Sequence, residues 1–171
     1  MRVLPWMMLC LPICAFAAVH PAPQGVEKLA AYAGTWKTVI HHLDTPYSKA
    51  GTESHILKND CWRSSGFLAC NQIVDGDSKA LIVFLYDAAS GKYSSYPIPA
   101  GVTPDVSPGS LVIDGAIWIF PWNITHDGKT THFRVRNFWS SKDSIEYHQE
   151  YSLDGSHWIS MAEGHETRIK P

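Results

Sequence analysis

The sequence lacks the features by which nucleic-acid-binding and membrane-spanning proteins are recognised. Its 14 lysines and arginines are outnumbered by 16 aspartates and glutamates, and the formal net charge is −2. They form no basic stripe, so neither a nucleic acid nor an anionic membrane surface is expected as a partner. Beyond the first 17 residues, no apolar run approaches the roughly 18 residues that a membrane-spanning helix needs.

Catalytic signatures are missing as well. The sequence has no Gly-x-Ser-x-Gly elbow, no phosphate-binding glycine loop and no His-Glu-x-x-His pair, which hydrolases, nucleotide-binding enzymes and zinc proteases use. His132, His148 and His165 share a predicted outer face but have no carboxylate or cysteine at ligand spacing. We therefore predict no metal, no cofactor and no catalytic residue, and an enzyme is the less favoured class.

Cysteine is scarce, and half of it lies in a predicted export signal. Residues 1–17 have a positive start at Arg2, an almost wholly apolar run over 4–16 and a small-x-small cleavage site, which together are typical of a signal peptide. Its removal leaves about 150 residues, which suit one domain. We expect a single barrel domain over 18–171, exported to the periplasm or the cell exterior.

The two remaining cysteines, Cys61 and Cys70, flank a predicted hairpin. If Ser65 and Gly66 form a two-residue loop, the two cysteines lie directly opposite each other. That position is a non-hydrogen-bonded pair, whose Cα separation of about 4.5 Å is within disulfide range. We expect a structural disulfide, because the redox alternative usually shows a Cys-x-x-Cys spacing.

Most of the chain consists of short strand-like runs separated by turn residues, after a short amphipathic lead-in over residues 24–33. Four Asp-Gly dipeptides lie between such runs and indicate hairpins. The predicted strands cover residues 35–43, 54–63, 67–74, 79–86, 92–96, 110–114, 116–123, 131–139, 144–152 and 157–168. An antiparallel meander of about ten strands normally closes to remove its edges. The predicted fold is therefore an all-β barrel with a short N-terminal helix.

One connection, residues 97–109, is irregular and contains four prolines. Proline cannot supply the backbone N–H that a central strand needs. We therefore predict a rim loop or lid there.

Turn positions in the second half predict a single inward face. Two-residue loops at the last three Asp-Gly pairs and a three-residue loop at 141–143 fix the pairing. The aromatic residues that fall on the inward face are Trp118, Phe120, Trp122, Phe133, Trp139, Tyr147, Tyr151 and Trp158. Their polar neighbours are Asn137, Gln149 and Ser160. A one-residue slip of the last strand would instead turn Glu163 and His165 inward.

The start of the first strand, Gly34-Thr35-Trp36, resembles the first-strand signature of the lipocalins and related calycin barrels. In those barrels the tryptophan closes the floor, and an arginine from the last strand lies across it. The resemblance implies structural roles for Trp36 and Arg168.

Further segments resemble a bacterial secreted family of unknown function related to the DUF1579 group. They are Tyr86-Asp87 with Gly91-Lys92-Tyr93, the hairpin at 152–158 and the closing run 163–168. This resemblance implies a calycin-like barrel over nearly the whole mature chain.

Three functions are compatible with these patterns. The favoured one is a barrel that binds a small apolar or weakly polar ligand, because about ten strands enclose more space than side chains alone fill. The residues expected to line its site are Trp118, Phe120, Trp122, Asn137, Tyr147, Gln149 and Ser160. The second is an enzyme or haem-binding barrel that uses Glu163 or His165. The third is a structural or interaction module with a filled core.

The outer face of the predicted hairpin at 110–123 carries Val112, Ile117 and Ile119 and is unusually apolar. We expect the lead-in around Val26 and Leu29, or a second subunit in a homodimer, to cover it. Ile117→Asp should then disrupt folding or dimerisation, as measured by circular dichroism and analytical ultracentrifugation. A variant with an unchanged spectrum and mass would show that the patch is merely exposed.

Overall fold

The computed structural model of the protein describes residues 25–64, 66–101 and 108–170. The predicted signal peptide at 1–17 and its cleavage site lie outside the described residues, as does the middle of the proline-rich connection. Within the described ranges, no helix combines the length and the apolar character needed to cross a bilayer.

The described residues form a closed antiparallel barrel, as the sequence predicts. A one-turn helix α1 (Val26–Leu29) and a 3₁₀ turn (Ala30–Tyr32) lead into the first strand. The ten strands are β1 (Gly34–His42), β2 (Gly51–Ser64), β3 (Phe67–Val74), β4 (Asp77–Asp87), β5 (Lys92–Pro99), β6 (Gly109–Asp114), β7 (Ile117–His126), β8 (Lys129–Ser141), β9 (Ser144–Ser152) and β10 (Ile159–Ile169). Each strand pairs with its neighbours in sequence, and β10 pairs with β1 to close the barrel. Each of the ten described strands therefore has a partner strand on both sides.

The predicted register across β7, β8 and β9 is confirmed. Trp118 lies opposite Asn137 on β8, and Asn137 lies opposite Tyr147 on β9. The hairpin pairing of Cys61 with Cys70 is also as expected, with a Cα separation of 4.0 Å and a disulfide between them.

The β6–β7 turn lies one residue later than predicted. Asp114 pairs with Ile117, so the loop is Gly115-Ala116, and Ile113 rather than Leu111 faces Trp118. Gly115 is the first loop residue and has φ +55°, which glycine adopts without a steric penalty. The partner of Trp118 on β6 thus changes by two residues, from Leu111 to Ile113. Because side chains alternate with a period of two, the same set of β6 residues still faces inward.

The start of β10 differs from the prediction. Tyr151 pairs with Ile159 rather than with Trp158, and Ser160 pairs with Glu150, which lies on the outer face. The Asp154 carboxylate explains the longer turn, because it accepts hydrogen bonds from the backbone N–H groups of residues 156 and 157. The prediction that Ser160 shares the inward face with Gln149 is therefore wrong.

Trp158 is a second correction, since it was placed among the inward aromatic residues. The Arg134 guanidinium lies 3.8 Å from the centre of its ring, and Arg134 pairs with Glu150 on the outer face. A cation stacked on the ring holds Trp158 outside the barrel.

A bulge between Ser160 and Ala162 restores the inward alternation along β10. Ala162 then faces Gln149, and Gly164 faces Tyr147. A bulge inserts one residue into one strand, so it cancels the one-residue slip at the start of β10.

The proline-rich connection begins later than predicted, because Pro97 and Pro99 belong to β5. They pair with Ile82 and Ala80 of β4, whereas β6 pairs only with Tyr93, Ser94 and Ser95. Proline is tolerated there because, among the described residues, that part of β5 pairs with β4 alone.

The lead-in closes one end of the barrel. Leu29 and Tyr32 are buried in a cluster with Leu68, Phe84 and Trp118, and Val26 packs against it. The expectation that the lead-in covers the outer patch is therefore wrong, because its apolar side chains point into the barrel. Val112, in the outer patch, is 49% exposed, and a homodimer there stays a prediction.

Arg168 connects the last strand to the closed end of the barrel, which is formed by the lead-in and Trp36 and is called the floor below. Its guanidinium lies 4.0 Å from the centre of the Trp36 ring and donates to the carbonyls of Ala33 (2.6 Å) and Ala31 (2.7 Å). Gly34 has φ +123°, and a Cβ there would lie 2.5 Å from Arg168 Nη1. The Gly-x-Trp sequence is thus required by two separate contacts.

Replacing Arg168 should therefore destabilise the fold. We expect Arg168→Ala to lower the free energy of unfolding by about 2 to 4 kcal/mol, since a cation–π contact and two charge-assisted hydrogen bonds are lost. The free energy of unfolding of Arg168→Lys should lie between those of wild type and Arg168→Ala, because lysine keeps the charge but lacks the planar guanidinium group. Urea denaturation followed by tryptophan fluorescence measures both, and an unchanged midpoint for Arg168→Ala would contradict this role.

Candidate functional site

A cavity of about 790 Å³ occupies the barrel interior. All ten strands contribute to its wall, and Tyr32 of the lead-in forms part of its floor. Apolar side chains make up most of the wall, and they include Ile40, Leu57, Val74, Ile82, Phe84, Phe120 and Val135. The diameter of a barrel grows with its number of strands, and the interior of a ten-stranded barrel is wider than its inward side chains can fill.

The floor is aromatic. The Tyr32 ring stacks on Trp118 with centroids 5.6 Å apart and contacts Trp139 and Phe120 edge to face. These contacts seal the closed end of the barrel.

Four of the seven predicted ligand-binding residues line the cavity, namely Phe120, Trp122, Asn137 and Tyr147. Trp118 does not, because Tyr32 covers it. Gln149 lies one inward position beyond Tyr147 and accepts a hydrogen bond of 3.1 Å from the Tyr147 hydroxyl. Ser160 pairs with Glu150 on the outer face.

Glu166 is the residue that the sequence reasoning missed. It lies on β10 between Thr38 of β1 and Ile145 of β9, lines the cavity and is 6% exposed. Burial raises the pKa of its carboxyl group from 4.5 to about 7. A signal for it existed, because the alternation that brings Arg168 to Trp36 also turns the residue two positions earlier inward.

Two phenols near Glu166 stay neutral at physiological pH. Burial, and then the nearby Glu166 charge, raise the pKa values of Tyr32 and Tyr147 above their ordinary value of 10.0. The Asn137 amide donates a hydrogen bond to the Tyr32 hydroxyl. Together these groups form a polar patch in an otherwise apolar wall.

A histidine–carboxylate chain lies at the open end. His55 lines the cavity and bonds Asp75 (Nδ1 to Oδ2, 2.6 Å) and Glu53 (Nε2 to Oε2, 3.4 Å), and His42 also bonds Glu53 (2.9 Å). The hydrogen bond to Asp75 contributes most to raising the pKa of His55. Within the described ranges, no group of three or more histidine, cysteine or acidic side chains is arranged to hold a metal ion.

A second cavity, of about 530 Å³, lies at the same open end. The β1–β2 loop bounds it through Tyr47, whose ring contacts Phe133 and Tyr151 edge to face. Its other side is formed by Ile124 and Leu153, both exposed.

Glu163 and His165 are exposed and point away from the cavity, because they alternate with the inward Gly164 and Glu166. The hypothesis of an enzyme or haem site built on the last strand therefore has neither of its two residues at the cavity.

Comparisons with known proteins concern the fold. No protein-family model and no curated protein matches the chain. The S-type phycobiliprotein lyase CPES from Guillardia theta has a similar structure over 86% of this chain and 94% of that one, with 15% identity and a TM-score of 0.47. Rv2717c from M. tuberculosis is similar over 85% and 97%, with 10% identity and a TM-score of 0.43. The described residues form a closed ten-stranded antiparallel barrel, and the lipocalin-like and DUF1579-related assignments stay predictions.

The raised pKa of Glu166 makes stability depend on pH. Between its ordinary value of 4.5 and about 7, the folded protein holds one proton more than the unfolded chain. The contribution of this group is fully present below pH 4.5 and is lost as the pH rises to about 7, which amounts to about 3 kcal/mol.

Glu166→Gln should abolish this dependence, since glutamine does not titrate. Relative to wild type, the variant should gain up to about 3 kcal/mol on going from about pH 4 to about pH 8. Glu163→Gln, on the outer face of the same strand, is the matched control and should behave as wild type. Urea denaturation across this pH range tests it, and parallel curves for wild type and Glu166→Gln would refute the assignment.

Proposed function

We propose that the protein is an exported binding barrel that encloses a small, mostly apolar ligand. The observation that carries the proposal is the cavity of about 790 Å³ inside the closed barrel. Pockets that hold small molecules measure roughly 300 to 1,000 Å³ and combine apolar walls with a few polar groups. The cavity has both properties.

The packing around the cavity supports a bound ligand over a filled core. Leu57, Ile82 and Val135 line the cavity and are only partly buried. Atoms that line a void lose dispersion contacts, and an apolar ligand would restore them. The tightly packed part is instead the floor, where Leu29 and Trp36 are fully buried.

The location of the protein is part of the proposal. The disulfide between Cys61 and Cys70 is compatible with an oxidising compartment, and residues 1–17 have the pattern of a signal peptide. Homodimerisation through Val112, Ile117 and Ile119 and membership of the DUF1579-related family are proposed on sequence patterns alone.

An acid–base enzyme is the second candidate, and the observation that favours it is Glu166. A carboxyl group with a pKa of about 7 matches what general acid–base catalysis needs near neutral pH. This residue replaces Glu163 and His165 as the candidate. A binding barrel has the stronger support because an enzyme also requires a reactive substrate bond, to which nothing in the cavity points.

Binding can be measured with a neutral fluorescent probe, N-phenylnaphthylamine, and the mature chain. We expect saturable enhancement of probe fluorescence. Val135→Trp fills the cavity and should weaken binding by about tenfold or more. Val112→Trp introduces the same side chain on the outer face and is the control, with unchanged binding expected.

Solvent extraction of protein purified from an exporting host, followed by mass spectrometry, gives an independent test. A co-purifying small molecule that is depleted in Val135→Trp would support the proposal. Absence of both a co-purifying molecule and saturable probe binding would leave the structural module as the better description.

A further inference from the structure

Glu166 is a buried carboxylate whose hydrogen-bonding needs are not met by the protein. Its Oε2 atom has no hydrogen-bond partner among the described residues. The donors nearest along the sheet are used elsewhere, since the Thr38 hydroxyl donates to the His55 carbonyl and the Tyr147 hydroxyl donates to Gln149. Buried acidic groups are normally paired, because an unpaired charge in an apolar interior is costly.

A second acceptor in the cavity wall is also unpartnered. Asn137 donates from its amide nitrogen to the Tyr32 hydroxyl, but its Oδ1 atom has no partner among the described residues. In the part of the wall that the structure describes, two side chains have unpartnered buried atoms, Asn137 and Glu166, and both offer acceptors. The missing complement is a ligand that donates hydrogen bonds.

The charge balance of the wall favours a cation. No lysine or arginine occurs among the described residues that line the cavity. Strand β8 contributes Val135 and Asn137 to the wall, and its two arginines, Arg134 and Arg136, are directed to Glu150 on the outer face. His55 is the one lining residue with a basic side chain in the described wall, and it is already bonded to Asp75 and Glu53.

The aromatic side chains of the wall also favour a positively charged ligand. Tyr32, Phe120 and Trp122 line the cavity along with Glu166, and the faces of such rings attract ammonium groups. In a site of low dielectric constant, an ion pair with Glu166 is stronger than in water.

We propose that the ligand of the cavity is an apolar molecule carrying a basic amine, and that Glu166 is the counter-ion that holds this amine inside the barrel. The inference rests on the proposed binding function and narrows its ligand class. An ammonium group supplies three donors, which suits a site whose unpartnered atoms are acceptors.

Binding of the ammonium group is expected to release the carboxyl proton of Glu166. Where Glu166 is protonated, the incoming ammonium displaces the carboxyl proton to solvent, and the carboxylate–ammonium pair forms. Among the described residues that line the cavity, the other titratable side chains are Tyr32 and Tyr147, which stay neutral, and His55, which keeps its own carboxylate partners.

Three probes share the same apolar phenylbutyl group and differ in the charge of the terminal group, namely phenylbutylamine, phenylbutanol and phenylbutyrate. Differences in their affinity therefore report the effect of charge and not of apolar burial. Calorimetric titration of the mature, disulfide-bonded chain near neutral pH should give the amine an affinity about tenfold or more above that of the alcohol, with the acid weakest. Glu166→Gln should lower the affinity for the amine to about that of the alcohol, and so remove the preference. Glu163→Gln should keep the wild-type order.

Proton release provides a second readout. Titrations near pH 6 in buffers of different ionisation enthalpy should show release of up to about one proton with the amine and none with the alcohol. Glu166→Gln should release none with either probe.

The outcomes distinguish this inference from the function on which it rests. Equal affinity for amine and alcohol in wild type, or an amine preference that survives in Glu166→Gln, would overturn the role of Glu166 while the binding barrel stands. If none of the three probes nor N-phenylnaphthylamine binds, the binding function and the inference fail together.

Discussion

The contact between Arg168 and Trp36 is the constraint on which the rest of the barrel depends. It lies where the last strand pairs with the first to close the sheet, and the same guanidinium donates to the carbonyls at the end of the lead-in. Gly34 makes the approach possible because a side chain there would occupy the position of the guanidinium. One arginine therefore contacts both the first strand, at the closure of the sheet, and the segment that seals the barrel.

The sealed floor in turn creates the cavity. Tyr32 reaches its position because the lead-in is held in place, and its ring covers Trp118 while its hydroxyl receives the Asn137 amide. Aromatic packing is thus concentrated at one end, and the middle of the barrel stays open. Glu166 lies in that open region, where its buried Oε2 atom has no hydrogen-bond partner among the described residues.

The sequence was sufficient for features that depend on local rules. Strand periodicity and Asp-Gly turns predicted ten strands, and the turns on either side of β8 predicted its pairing with both neighbours. The hairpin between Cys61 and Cys70 followed from its loop length. In each case the information lies within a few residues of the feature.

What the sequence did not reveal depends on small energy differences or on distant contacts. A two-residue and a longer turn after Ser152 differ by a few hydrogen bonds to Asp154, so Trp158 and Ser160 were placed on the wrong face. The bulge that follows cannot be read from residue types. Trp118 was expected to line the cavity because nothing in a pairing scheme shows that Tyr32 covers it.

The closure between β1 and β10 has a consequence for how the chain acquires its structure. Trp36 and Arg168 are paired although nearly the whole sheet lies between them in sequence, and contacts of such long range slow folding. During synthesis, the floor cannot be completed until the last strand has left the ribosome. Until then the aromatic inner face has no closed interior to occupy, which gives chaperones time to bind it before the barrel closes.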